Sequence, residues 1–327
     1  MIKICFYGSC GHSSTVFKSK REDLLFAGCC AGEPGEPGVD GLLSQASIQG
    51  QHMKKYVSLE DMLEQERPQV LVVDNSFGCH LSPTLTALQR GIGVYCDKPA
   101  VTRLEELALL RHILEKTGGI FWTMQTMRYE SCFYTAKQLV ASGIIGAVRL
   151  INGQKSYKLG RRPPFFYDPE RYGGTIPWVG IHGIDLALWM ADCYDCRDYY
   201  GRSWSPIGKP CPELATLSML TLESGVLCSI SADYLRPGSS VAHGDDRLRI
   251  VGDLGIVEVL KEKVTLLDRN TVLPKEMPLY TPETVFDDFL FALSHKGQGR
   301  LFSTKQALAS TEAALLCQQS ALEAQTL

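Results

Sequence analysis

With 327 residues, 45% of them hydrophobic, the chain exceeds what one hydrophobic core usually supports, so two domains are expected. Its formal net charge of -3 gives no electrostatic case for nucleic acid or an anionic membrane as a partner. No uncharged apolar stretch approaches the roughly 18 residues of a membrane span, and the apolar segment from Ile2 to Tyr7 is too short for a signal peptide, so we expect a soluble cytoplasmic protein.

The first third of the chain alternates strand patterns with helix patterns. Strands are predicted at residues 2–7, 24–31, 70–74, 94–96 and 120–124, and amphipathic helices at 59–65, 82–90 and 103–116. This alternation favours a doubly wound parallel sheet covered by helices on both faces, in an α/β domain over residues 1–127.

The pattern changes after Arg128. A helix at 131–142 precedes an alternating run from Val148, and short strands joined by turns follow at 217–222, 226–232, 248–251, 256–260 and 264–267. They predict an α+β domain over residues 128–299 with an open antiparallel sheet. A helix over 303–325 carries an apolar stripe, Leu308, Leu315 and Leu322, and we expect the C-terminal segment 300–327 to pack back on the first domain.

Two local patterns have plain interpretations. Cys193 and Cys196 have the spacing of half a zinc site or of a redox pair, but no second half follows, so we predict no metal site. The Glu-Pro-Gly triplets between Gly32 and Gly41 predict a stiff, solvated loop after the second strand.

The first strand runs into a glycine-containing turn, Gly8-Ser9-Cys10-Gly11-His12-Ser13. Glycines at a strand-to-helix turn let the backbone approach a pyrophosphate, although this version is degenerate because Cys10 and Ser13 stand where glycines are expected. No Lys or Arg lies between Leu24 and His52 to hold a 2′-phosphate, which favours NAD over NADP.

The fourth strand ends in Asp97-Lys98-Pro99, at the carboxyl edge where open α/β sheets bind ligands. Because proline holds the preceding residue extended, Lys98 is predicted to be aimed at a ligand and not to move freely in solvent. Further on, His182 stands in the first turn of an apolar helix, where a lone histidine is more often structural than catalytic.

Together these segments resemble the glucose–fructose oxidoreductase and inositol dehydrogenase (Gfo/Idh/MocA) family. Cys96-Asp-Lys-Pro99 stands for its Glu-Lys-Pro, Gly180-Ile-His-Gly-Ile-Asp185 for its Gly-x-His-x-x-Asp, and residues 248–258 for its second-domain hairpin. The resemblance implies a dinucleotide-binding Rossmann domain, followed by a sheet whose outer face makes a homodimer or homotetramer.

The resemblance also implies roles for individual residues. Lys98 binds the substrate hydroxyl and His182 accepts its proton. Substrate contacts fall on Trp178, Tyr172, Asp185 and Arg128. Cofactor contacts fall on Gly8, Ser9, Cys10, Gly11, His12, Asn75, Ser76, His80, Asp97, Lys98 and Gln125. The implied activity is NAD(P)-dependent hydride transfer to or from a hydroxyl carbon of a sugar, polyol or related small molecule, since a base and a cation suit that step.

One departure bears on turnover. The family has an aspartate four residues before the histidine, and this chain has Trp178 there. Without that carboxylate, His182 needs another partner, such as Asp168 or Tyr172, or its basicity falls. The alternatives are therefore a non-catalytic nicotinamide or ligand sensor on the same fold, and a closed redox cycle on a tightly held cofactor.

Overall fold

The computed structural model describes residues 1–206 and 212–324, which divide into two compact units. Unit 1 comprises Met1–Met124, Pro163–Gly173 and Thr284–Leu308, and unit 2 comprises Gln125–Arg162, Gly174–Glu283 and the described residues from Ala309. The first boundary lies three residues before the predicted one. Residues 163–173 and 284–299, which we expected in the second domain, pack within unit 1.

The described residues form fourteen strands. In chain order they are β1 (Ile2–Tyr7), β2 (Leu24–Cys30), β3 (Lys54–Tyr56), β4 (Val70–Val73), β5 (Gly93–Cys96), β6 (Phe121–Thr123), β7 (Val148–Tyr157), β8 (Cys196–Trp204), β9 (Ala215–Leu222), β10 (Leu227–Asp233), β11 (Gly244–Gly252), β12 (Gly255–Leu260), β13 (Lys263–Asp268) and β14 (Lys275–Met277).

Nine α-helices connect and cover these strands in the described part of the chain. They are α1 (Asp40–Ile48), α2 (Leu59–Glu66), α3 (Leu81–Leu88), α4 (Leu104–Thr117), α5 (Ser131–Ala141), α6 (Pro169–Tyr172), α7 (Ile181–Ala191), α8 (Val285–Leu293) and α9 (Thr304–Glu323). None of the described helices combines the length and the apolar composition that spanning a bilayer requires.

Unit 1 contains a six-stranded parallel sheet in the order β3-β2-β1-β4-β5-β6. The central strand β4 is buried along its whole length, as a parallel sheet covered on both faces requires. Strand order reverses between β1 and β4, and in such folds ligands bind beside the carboxyl ends of the strands at this switch point. The predicted doubly wound α/β fold is therefore confirmed.

Unit 2 contains an eight-stranded sheet in the order β14-β13-β12-β11-β7-β10-β9-β8. Its pairs are antiparallel except for β7 with β10, which run parallel, so the predicted antiparallel sheet is confirmed with one exception. The sequence predicted neither β8 nor β14.

Helix α7 crosses one face of this sheet and is buried from Ile181 to Met190. It lies very close to the strands, since a Cβ at Gly183 would lie 2.5 Å from Ile230 and a Cβ at Gly153 would lie 3.9 Å from the Gly183 backbone. Only glycine fits at Gly183, so the glycine next to His182 fixes the depth of the helix on the sheet.

The C-terminal helix α9 has a narrower apolar stripe than predicted. Leu308 and Leu315 are buried, whereas Leu322 is exposed near the end of the helix. The first residues of α9 pack within unit 1 and the described residues from Ala309 within unit 2, so the helix does not belong to one domain as we expected. Residues 325–327 lie outside the described residues.

Candidate active site

The turn after β1 is tied to the end of β4. Gly8 adopts φ +80°, and a Cβ there would lie 2.5 Å from the Asn75 nitrogen, so the position requires glycine. The Cys10 amide donates to the Asp74 carbonyl (2.7 Å) and the Ser13 amide to the Asp74 carboxylate (3.0 Å). The helix that follows is a 3₁₀ segment of six residues, Ser13–Lys18, so it supplies little dipole for anion binding.

Two buried carboxylates lie beneath this turn. Burial raises the pKa of Asp74, and the neighbouring charge of Asp97 raises it further. Burial also acts to raise the pKa of Asp97, but His12, whose Nδ1 lies 2.9 Å from Asp97 Oδ1, and Lys98 lower it by more. Asp97 therefore holds the negative charge and Asp74 favours the neutral acid, which limits the repulsion of an anionic ligand at the turn.

Because its folded-state pKa is raised, Asp74 stabilises the fold at low pH, and this contribution is lost as pH rises above about 4 toward the folded pKa. We expect Asp74→Asn to be more stable than the wild type by about 1 kcal/mol or more at pH 7, and by less at pH 5. Urea unfolding at both pH values measures the difference. Asp40→Asn, at a carboxylate that is 81% exposed, is the control. An advantage that is the same at both pH values contradicts the assignment.

A third carboxylate, Glu36, enters the crevice from the loop after β2. It is buried, accepts from the Ser76 amide (2.8 Å) and pairs with Arg171 (2.8 Å). Arg171 also donates to the Pro34 carbonyl (3.1 Å) and Ser76 Oγ (3.2 Å). The Glu-Pro-Gly loop is thus anchored at Glu36 and is not solvated throughout, in contrast to the prediction.

Lys98 follows β5 at the same edge of the sheet and is 1% exposed. Its amide donates to Asp97 Oδ1 (2.8 Å), and the Lys98–Pro99 peptide bond is cis. His80 lies between the Pro99 carbonyl (2.8 Å) and the Asn75 carbonyl (3.1 Å), and burial lowers its pKa. The His80 ring thus bridges the segment after β4 and the turn after Lys98.

His182 stands in the first turn of α7 in unit 2 and is buried. Trp178 lies one turn earlier in a π-helical segment, Ile176–Gly180, and is also buried. Glu213 holds the start of this segment by accepting from the Thr175 amide (2.9 Å). The predicted catalytic histidine is therefore on a rigid, buried helix start, with an aromatic ring where the family has a carboxylate.

Two residues predicted to contact substrate bind each other instead. The Arg128 guanidinium donates to both carboxylate oxygens of Asp185 at 2.7 Å, and Ser310 donates to Asp185 at 2.6 Å. The side chains of the pair are 0% and 2% exposed, and Trp189 and Tyr194 lie beside the guanidinium. This buried ion pair accounts for both charges without a substrate, in contrast to the prediction that Arg128 and Asp185 bind one.

Tyr172, also predicted to contact substrate, packs in an aromatic cluster of unit 1. Its ring lies 4.9 Å from that of Phe166 and 6.1 Å from that of Phe77, and it is buried. The Tyr172 ring therefore packs against the loop that follows β4. Asp168, the other candidate partner of His182, caps α6 by accepting from the Glu170 amide (3.0 Å).

Buried polar atoms test whether these residues fit a dinucleotide. Among residues 1–206 and 212–324, Asn75 Oδ1, Asp97 Oδ2 and both amide atoms of Gln125 are buried and have no hydrogen-bond partner. Buried polar groups are normally hydrogen-bonded, so a ligand with hydroxyl and amide groups suits these atoms. With the close turn at Gly8, Asn75 and Asp97 of unit 1 fit a nicotinamide dinucleotide.

Sequence reasoning missed several of these residues. Asp74, like Asp97, directly follows a buried strand, and that placement could have identified it. The burial of Glu36 and its partner Arg171, which is 135 residues distant, had no sequence signal. Cys193 and Cys196 are free thiols, and no group of three metal-ligating side chains is found within the described residues.

Two family models match the chain. Residues 40–125 match the oxidoreductase family with an NAD-binding Rossmann fold, and residues 133–258 match the Gfo/Idh/MocA C-terminal domain. A solved structure of a Thermotoga maritima protein assigned as an oxidoreductase is 37% identical, with a TM-score of 0.93, and the alignment covers 99% of this chain and 98% of that one.

Other relatives are more distant. An uncharacterized oxidoreductase of Schizosaccharomyces pombe is 30% identical over 135 residues, 41% of this chain and 37% of the relative, so the match spans little more than a third of that curated protein. Levoglucosan dehydrogenase in complex with NADH and levoglucosan is 13% identical with a TM-score of 0.81, covers 98% and 97% of the two chains, and shows the fold alone. The chain belongs to the Gfo/Idh/MocA family of oxidoreductases, and its parallel-sheet unit is the NAD-binding Rossmann fold of that family.

Proposed function

We propose that this protein is a dehydrogenase that oxidises a hydroxyl carbon of a sugar, polyol or related small molecule with NAD. The observation that carries the proposal is Lys98, an ammonium group buried to 1% exposure at the carboxyl edge of the parallel sheet. In open α/β sheets ligands bind at this carboxyl edge, so an ammonium group held there is placed to serve a ligand.

Two of the chain's own residues have roles in this reaction. A nicotinamide dinucleotide, when bound, would supply the acceptor for the hydride of the carbinol carbon. Lys98 donates a hydrogen bond to the reacting oxygen and stabilises the negative charge that develops on it. His182 accepts the hydroxyl proton, so the substrate leaves as a carbonyl compound and the proton passes from the imidazole to water.

Trp178 changes the environment of the base. A carboxylate one turn before the histidine would raise the basicity of the imidazole, and the indole of Trp178 does not. The indole also gives this end of α7 an apolar surface that suits the carbon face of a sugar ring.

The contacts of Glu36 support NAD over NADP. Its carboxylate is buried in the loop after β2, near where the adenosine ribose of a dinucleotide lies in this fold, and it holds Arg171 in an ion pair. A 2′-phosphate would meet this carboxylate and would have to compete for Arg171. Asn75, Asp97 and Gln125 are the other residues that we propose hold the cofactor.

We further propose that the protein is a homo-oligomer through the open face of the unit 2 sheet. Strand register puts Tyr200 opposite Met219 and Arg202 opposite Leu217 on one face. Trp204, Leu217, Met219 and Leu227 are exposed on neighbouring strands, which makes a contiguous apolar patch. Patches of this kind commonly mark protein interfaces.

Purified protein with NAD or NADP and a panel of polyols and aldoses, followed by reduced-cofactor absorbance, tests the function. We expect turnover with NAD on at least one substrate, and a loss of about 10²- to 10⁴-fold in kcat for His182→Asn. Titration with NADH and NADPH, followed by energy transfer from tryptophan, should show tighter binding of NADH. Binding of NADH without turnover on any substrate favours the non-catalytic sensor, and full activity of His182→Asn would refute its role as the base.

A further inference from the structure

A charged and aromatic cluster lies at the end of the unit 2 sheet nearest the start of α7. Along β10, a Cβ at Gly183 would contact Ile230 and one at Gly180 would lie 3.9 Å from Ala232, so the sheet runs toward the helix start. Ala232 pairs with Lys155 of β7. Further along β7, Lys155 and then Tyr157 therefore lie beyond the turn of α7 that carries His182.

The cluster is built around a buried lysine. Lys155 forms an ion pair with Asp246, and its ammonium lies 5.0 Å from the centre of the Tyr157 ring. Tyr157 stacks on His243 at 5.1 Å with 27° between the ring planes. Arg162 lies over the ring of Tyr234 at 5.0 Å. The side chains pass from buried at Lys155 to exposed at His243, so the cluster opens to solvent.

Cations outnumber carboxylates among the described side chains of this cluster. Lys158 donates to the Ser240 carbonyl, a neutral partner. Partial desolvation lowers the pKa of His243, and the nearby charges of Arg162, Lys158 and Lys155 lower it further, against the opposite effect of Asp246. Among the described residues, the carboxylates of Asp246 and Glu130 both act on Lys155, so two carboxylates stand against Lys155, Lys158 and Arg162 and a net positive charge remains.

We propose that these residues form a subsite for an anionic substituent, so that the substrate is an acidic sugar or polyol that carries a carboxylate or a phosphate. Lys158 and Arg162 bind the anion, and Lys155 adds positive charge on its buried side. The rings of Tyr157 and Tyr234 offer a flat apolar surface to the sugar. The assignment deepens the proposed dehydrogenase function and rests on it, because it names the substrate class of that site. Cations that bind carbonyl oxygens remain able to exchange them for a charged acceptor, which forms the stronger hydrogen bond.

Isothermal titration calorimetry on the full chain without cofactor tests the subsite. The probes are D-gluconate, D-glucuronate, D-glucose 6-phosphate and inorganic sulfate, with D-glucitol and D-glucose as neutral counterparts. We expect at least one anionic sugar to bind about tenfold more tightly than its neutral counterpart, with affinity that falls as salt is added. A comparison of D-gluconate and D-glucuronate with D-glucose 6-phosphate shows whether the subsite binds a carboxylate or a phosphate.

Variants locate the binding. Lys158→Gln and Arg162→Gln, at partly exposed positions, should each weaken the anionic sugar about tenfold and leave the neutral sugar unchanged. Lys155→Met with Asp246→Asn removes the buried pair without leaving an uncompensated charge. Arg149→Gln is the matched control, because Arg149 is an exposed cation at the far end of the same strand, paired with Asp253.

Two results would overturn the subsite: no anionic probe binds more tightly than its neutral counterpart, or Arg149→Gln weakens binding as much as Lys158→Gln. Calorimetry needs no cofactor and no turnover. If no anionic sugar binds preferentially but the protein oxidises a neutral polyol, only the proposed substrate class is disproved. If an anionic sugar binds but NADH does not, only the proposed dehydrogenase function is disproved.

Discussion

Lys98→Met is expected to reduce kcat by about 10²- to 10³-fold and to leave the protein folded. The methionine side chain has a similar length and no charge, so it removes the donor to the reacting oxygen while filling the same buried space. The protein should remain folded, because Asp97, which loses the nearby charge of Lys98, keeps its contact with His12 at 2.9 Å. Initial rates with NAD on the best substrate of the panel measure the effect.

Two comparisons separate catalysis from binding for Lys98→Met. NADH binding, followed by energy transfer from tryptophan, should change much less than kcat, because Asn75 and Asp97 are proposed to hold the cofactor as well. Lys263→Met, at a lysine whose side chain is 63% exposed in unit 2, should keep the rate of the wild type. A rate for Lys98→Met that equals the rate of this control contradicts the proposed function.

Asp185→Ala is expected to destabilise the protein by about 3–5 kcal/mol, because it leaves the Arg128 guanidinium buried without its counter-charge. Burial acts to lower the pKa of Arg128, and the Asp185 carboxylate raises it by more, so the guanidinium remains charged in the native fold. The change also removes the acceptor of Ser310. The urea-unfolding midpoint, with the slope checked for a two-state transition, measures the loss.

The chain contains a matched control for this substitution. Arg149 and Asp253 form a similar two-pronged pair at 2.8 and 2.9 Å, but their side chains are 61% and 44% exposed. Asp253→Ala should therefore cost at most about 1 kcal/mol. Equal costs for the two substitutions would mean that burial does not control the strength of these pairs.

The elements that the sequence predicted well are those with a strong local pattern. The bounds of β1 and of most helices agree to within one or two residues, because apolar periodicity and burial coincide there. Strand β3 was missed since its residues, Lys54-Lys-Tyr56, are mostly exposed at the sheet edge. The parallel pairing of β7 with β10 depends on which strands meet across some 70 residues of chain, and no local pattern encodes that choice.

The candidate site was predictable only in part. Lys98 and His182 each stand at a fixed place in a motif, and the structure places both at the ends of buried elements, while their catalytic roles stay predictions. Arg128 and Asp185 were assigned to the substrate by the family resemblance. Their partner is 57 residues away in each case, and only the packed structure shows that they neutralise each other.

The division of the chain into non-contiguous pieces has a consequence for synthesis on the ribosome. In unit 1, Phe286 and Phe289 of α8 lie 5.2 and 5.1 Å from the Tyr95 ring, and Trp122 donates to the Gly297 carbonyl. The parallel sheet thus lacks part of its cover until α8 and Gly297 have been translated. Until then the nascent chain would expose this apolar aromatic surface to solvent. A truncation before α8 would therefore harm folding more than the loss of a terminal helix would imply.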